Sequence, residues 1–208
     1  SIILLGIGWA YLALNLKTKS QPEQFYTSEP NNIQTTNSPK PSRFWTMDDY
    51  LKNDVNIGIA VLMIYFAQNG SYPKDFASLR GDYNDYVAPI LLNTILSNPS
   101  FNYKSDGATY DFSATLSTSQ VFRGNQIDIN KILDQYIKND LYKLTTAINM
   151  YKLDKGSLPS NLDELKGIAL TKIPKNPITR GSYGYNQNQN GSFTLSGVLS
   201  DGSIYRQH

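Results

Sequence analysis

Residues 139–167 read NDLYKLTTAINMYKLDKGSLPSNLDELKG, and residues 53–81 read NDVNIGIAVLMIYFAQNGSYPKDFASLRG. The two stretches align without a gap at an offset of 86, with eight of 29 positions identical. The identities are Asn53/Asn139, Asp54/Asp140, Tyr65/Tyr151, Gly70/Gly156, Ser71/Ser157, Pro73/Pro159, Leu79/Leu165 and Gly81/Gly167. An internal repeat at this spacing is too long for a solenoid and predicts two copies of one small structural unit.

The second copy has the cleaner pattern. Apolar residues from Ile127 to Tyr151 recur at three- and four-residue steps, which predicts a long amphipathic helix over about 127–153. Gly156 is its expected left-handed cap, and Leu158-Pro159 turns the chain away. Leu162, Leu165 and Ile168 mark a short second helix. Tyr183-Gly184-Tyr185 and Phe193-Thr194-Leu195-Ser196 read as paired strands around an Asn-Gly turn, with a third strand at Ile204-Tyr205. The first copy follows this plan, with a helix over 48–68 capped by Asp48 or Asp49, and strands at Phe101-Asn102-Tyr103 and Tyr110-Asp111-Phe112-Ser113.

The first helix differs from the second. Val55, Ile59, Leu62, Met63 and Phe66 join other apolar residues on nearly every face of it. A helix apolar all round is buried all round, so these residues are expected to meet the sheet of their own unit and also a second surface. That surface is either the other copy or another chain.

Ahead of the repeats, residues 2–16, IILLGIGWAYLALNL, carry no charge. As a helix they span roughly 22 Å, short of a bilayer core of about 30 Å. They are read as a retained membrane anchor over 1–17, with Trp9 and Tyr11 near the interface. Residues 18–45 are rich in Pro, Ser, Thr, Asn and Gln, and predict a linker. Phe25, Tyr26 and Phe44 are its candidate contact points. The two repeat units then occupy 46–122 and 123–208.

Composition narrows the function. Only 17% of residues are charged and the net charge is +2, so nucleic acid is not an expected partner. There is no cysteine, and the one histidine is His208, which removes thiolate chemistry and leaves no histidine for a catalytic triad in the body. The acid pairs Asp48/Asp49, Asp82/Asp85 and Asp163/Glu164 read as caps and solvated faces before they read as catalytic carboxylates. Neither an enzyme activity nor a cofactor is expected. Asn69-Gly70-Ser71 and Asn190-Gly191-Ser192 match the glycosylation pattern but are also ordinary turns.

The ordered set Tyr151, Gly156, Pro159, Leu165, Asn176-Pro177, Tyr183, Tyr185, Phe193, Leu195, Ser196, Asp201 and Gly202 resembles the globular part of the type II secretion major pseudopilins and related type IV pilin-like proteins. It covers about residues 127–202, with a weaker second match at 48–117. The resemblance implies an α+β fold: an N-terminal membrane helix, then two tandem pilin-like units, each a long helix packed on a small antiparallel sheet. It further implies a bacterial extracytoplasmic protein whose work is assembly with other protein subunits. The sequence departs from that family in having Ser1 and Leu5 where an aromatic residue and Glu are usual, and in placing a Pro-rich linker after the anchor. Of the calcium loop that major pseudopilins often carry, only Asp201 matches, with Leu199 and Ser200 beside it. The expected function is a structural or accessory subunit of a filament or cell-envelope assembly. The alternative is an adhesive or glycan-binding module using Tyr83, Tyr86, Tyr183 and Tyr185.

Overall fold

Helix α1 (Met47–Asn69) begins at Thr46. The Thr46 hydroxyl accepts the Asp49 N–H, and the Thr46 N–H donates to the Asp49 carboxylate at 3.0 Å, a reciprocal capping box. The cap thus falls just before the expected Asp48 or Asp49, and Asp48 is used elsewhere. The helix stops at Gly70 (φ 76°), a conformation open to glycine and costly for other residues. The computed structural model describes residues 45–208 apart from Asp82 and Asp85, all within one compact unit.

A 3-10 turn (Phe76–Leu79) follows, capped by Asp75, and then helix α2 (Pro89–Ser97). Strands β1 (Phe101–Ser105), β2 (Tyr110–Thr115) and β3 (Val121–Phe122) form an antiparallel sheet in that order. Helix α3 (Gln126–Lys155) starts at Asn125, whose side chain accepts the N–H groups of Ile127 and Asp128, and ends at Gly156 (φ 73°). A second 3-10 turn (Leu162–Leu165) leads to β4 (Gly184–Gln187), β5 (Phe193–Val198) and β6 (Ile204–Gln207), again antiparallel in sequence order.

One face of α1 lies against β2. The approach is close at Gly58, where an added Cβ would sit 2.3 Å from the Phe112 ring. The rest of its apolar surface is covered by the start of α3: Ile129 and Leu133 join Val55, Ile59, Leu62 and Phe112 in one core. Helix α3 then enters a second core, where Ile137, Leu141, Leu144 and Ile148 pack with Leu165, Tyr183 and Leu195. The first turns of α3 therefore complete the core of the first half.

This corrects the expected fold. The described residues hold three helices and two three-stranded antiparallel sheets, not two helix-on-sheet pilin units. The physical reason is that a helix apolar on every face cannot be satisfied by one small sheet; α1 takes α3 as its second partner, which joins the halves. The expected boundary between 122 and 123 falls in the β3–α3 connector, and the Asn125 N–H donates to the buried Asn56 side chain at 2.8 Å. The predicted anchor over 1–17 and the predicted linker, except Trp45, lie outside the described residues. Among the described residues no helix is long and apolar enough to cross a membrane.

Candidate functional site

Among the described residues the most enclosed acidic or basic side chain is Asp140 on α3, which is 1% exposed. The Tyr183 hydroxyl donates to its Oδ2 at 2.9 Å, and the Tyr86 hydroxyl donates to its Oδ1 at 2.8 Å. Tyr136, one turn earlier on α3, donates to the backbone carbonyl of Tyr86, and its ring meets that of Tyr86 edge-on at 5.6 Å. The Lys143 ammonium lies 5.0 Å from the centre of the Tyr86 ring. Burial raises the Tyr183 phenol well above its ordinary value, and the Asp140 charge raises it further; burial does the same to Tyr136. These phenols remain protonated donors at any physiological pH. The arrangement suits a tie between α3, the loop before α2 and the strand entry at Tyr183.

Next to this tie is a shallow cleft of about 110 Å³, lined by Gln68, Tyr83, Tyr86, Lys143, Thr171 and Lys172 among others. Lys172 donates to the Asn69 side chain at 3.2 Å and sits 5.8 Å from the centre of the Tyr83 ring. Drug-sized ligand pockets run to about 300–1,000 Å³, so this cleft is small.

The sequence candidates are dispersed. Val55, Ile59 and Leu62 are buried in the core of the chain itself. Met63 is half-buried against it. Phe66 is half-buried, with its ring against Tyr72 and under the Arg180 guanidinium at 4.5 Å. Phe25, Tyr26 and Phe44 lie outside the described residues. Asp201 is exposed in the β5–β6 turn, where Ser203 donates to it and holds its carboxyl below the usual range. Among the described residues no three acidic, His or Cys side chains are grouped to hold a metal. Of the four candidate sugar-stacking tyrosines, Tyr83 and Tyr183 are buried. Tyr86 is committed to Asp140, and the Tyr185 hydroxyl donates to the Pro159 carbonyl at 2.9 Å. Asp48 accepts from Ser117, Glu164 accepts from Tyr151, and Asp82 and Asp85 lie outside the described residues.

Two exposed apolar groups were not foreseen. On α3, Tyr142, Met150 and Leu153 are 68%, 51% and 87% exposed and share one face of the helix. They interrupt a surface that otherwise carries polar side chains; the signal was their position off the core stripe of Leu141, Leu144, Ile148 and Tyr151. At the start of α1, Trp45, Met47 and Tyr50 are also exposed, and the Trp45 and Tyr50 rings lie 5.4 Å apart. No protein-family model, curated protein or solved structure matches the chain.

Proposed function

We propose that the chain is a non-enzymatic, membrane-tethered extracytoplasmic protein that serves as a structural or accessory subunit of a filament or cell-envelope assembly. The observation that carries this reading is the outward face of α3. A Leu, a Met and a Tyr stand in solvent on one face of a 30-residue helix, and Leu153 is almost wholly exposed. Scattered surface apolar residues are ordinary, but a same-face set on a rigid helix is the form a helix-mediated contact takes. The low charge supports the same reading, since cores of protein interfaces are poor in charge and rich in Tyr and Met. The uncharged stretch 2–16 supplies the tether, and the resemblance of residues 127–202 to the pseudopilins agrees with a task of assembly.

The test compares the full chain with Tyr142→Arg and Leu153→Arg variants, extracted in mild detergent from the cells that make it. The expected result is a complex larger than one chain that both substitutions dissolve, with the melting temperature unchanged because neither side chain is core. A wild-type chain that elutes alone, or a complex indifferent to both substitutions, overturns the reading.

A further inference from the structure

We propose that the end of the body bearing Trp45, Met47 and Tyr50 is a lipid-contacting surface that rests in the headgroup region of a bilayer. This rests on the membrane-tethered reading above and adds a second, independent contact to it. The three side chains are 57%, 71% and 55% exposed, and the paired Trp45 and Tyr50 rings form one platform at the start of α1. Trp and Tyr combine an apolar ring with a polar tip, which is why they concentrate at membrane–water interfaces.

The surrounding charges favour this occupant over an acidic protein or an anionic lipid. Asp48 holds Ser117, at 2.9 Å from its N–H and 2.8 Å from its hydroxyl, and Asp49 closes the Thr46 cap. The turn that Asp48 secures reads Ser117-Thr118-Ser119-Gln120 and leads to the exposed Val121. In the first turns of α1 the basic side chain is Lys52 alone. The platform is therefore aromatic with a net negative edge, Asp48 and Asp49 against Lys52, which turns away anionic lipid and acidic protein and leaves zwitterionic headgroups as its lipid.

Connectivity gives a further argument. The chain enters the body at Trp45, after residues 18–44 and the apolar stretch 2–16. Even at full extension a chain of that length reaches at most about 90 Å. A body tethered so closely meets the bilayer at high effective concentration, so a small platform is enough to hold it down.

The chain has two tryptophans, so Trp9→Phe leaves Trp45 as the only one. The experiment places this full-length variant on phosphatidylcholine vesicles, with and without bromine on the acyl chains, and reads Trp45 emission beside vesicle flotation. The expected result is emission shifted to the blue and quenched by the brominated lipid. Adding Met47→Lys and Tyr50→Lys abolishes the quenching while flotation persists. A chain that floats with Trp45 equally bright in both vesicles overturns the proposal and leaves the tether standing. A blue shift without quenching also overturns it, because protein then covers the platform. Failure to float ends both the proposal and the membrane reading.

Discussion

The two halves of the body close their turns with the same bonds, and the sharpest difference between them is at one repeated aspartate. Gly70 and Gly156 end their helices with φ of 76° and 73°. The hydroxyl of Tyr103 donates to the Pro73 carbonyl at 2.6 Å, and that of Tyr185 to the Pro159 carbonyl at 2.9 Å. Asp48 takes both the N–H and the hydroxyl of Ser117, and Asp134 takes both from Ser200. The turns they hold close alike, from the Leu116 N–H to the Gln120 carbonyl and from the Leu199 N–H to the Ser203 carbonyl, both at 2.8 Å. The repeated aspartate next to Val55 and Leu141 breaks the pattern. Asp140 is buried and bonded by Tyr183, whereas Asp54 is half-buried and the position of Tyr183 is filled by Phe101, which has no hydroxyl. A Tyr hydroxyl in place of a Phe edge accompanies the change from a half-buried repeat residue to a buried tie, and the tie also recruits Tyr86 from the other half. The comparison shows that a copied unit can keep its turns while one of its two equivalent carboxylates becomes the joint between copies.

The largest effect that tests this contrast is Asp140→Ala against Asp54→Ala. Removing Asp140 leaves the buried Tyr183 phenol and the half-buried Tyr86 phenol without their charged acceptor, and a bond of this kind contributes about 1.5–3 kcal/mol. The expected loss is therefore about 3 kcal/mol or more, read by urea unfolding. Burial raises the Asp54 carboxyl, so its folded pKa exceeds its unfolded one and the ionised form weakens the fold at neutral pH. Asp54→Ala is expected to change stability by under about 1 kcal/mol or to increase it. Equal losses at the two positions would break the contrast.

A smaller and symmetrical effect is expected at the helix ends. Nothing lies within 4 Å of a Cβ built on Gly70 or Gly156, so a side chain there meets only backbone strain. A β-branched residue in the left-handed region costs roughly 1–2 kcal/mol. Gly70→Val and Gly156→Val should lower the melting temperature by matching amounts, and Asn at either position should cost less. A large disparity would show that one of the two turns is held by tertiary packing instead.

These turns were legible because Asn-Gly, Gly-Ser and x-Pro carry their geometry within a few residues. The extent of α3 was legible for a similar reason: its apolar period is unbroken, and the helix extends the expected 127–153 by only a few residues. Helix α2 was missed. Its Pro89 start was a usable signal, but the repeat offers no support for it, because the second half has no helix at the matching place. The merging of the halves was half legible. The all-round apolar surface of α1 demanded a second partner, yet one sequence does not say whether that partner is α3 or another chain. The tie at Asp140 and the serine clamps join residues 43 to 69 positions apart, and no local pattern announces such pairs. The exposed residues of α3 could have been found by asking which apolar side chains fall off the core stripe.

The smallest expected effect separates the halves by pH. Tyr151 and Tyr65 are repeat equivalents, but Tyr151 faces Glu164, whose counterpart in the first half is Ser78. The Tyr151 hydroxyl donates to Glu164 at 2.7 Å and holds its carboxyl below the ordinary value; the Ser160 N–H assists at 3.2 Å. A carboxyl with a depressed folded pKa contributes stability above its unfolded pKa and loses it as the pH falls through the folded one. Tyr151→Phe removes the larger of these bonds. Its melting temperature should therefore lie below that of the wild type at pH 7, and the two curves should converge on the acid side of about 4.5. Tyr65→Phe, with no carboxylate at the matching position, should differ from the wild type by the same amount at both pH values. Because Glu164 is at the surface, salt should shrink the Tyr151 difference as well. Convergence in the Tyr65 variant instead would mean that acid sensitivity belongs to the shared plan and not to the residue that replaced Ser78 in the second copy.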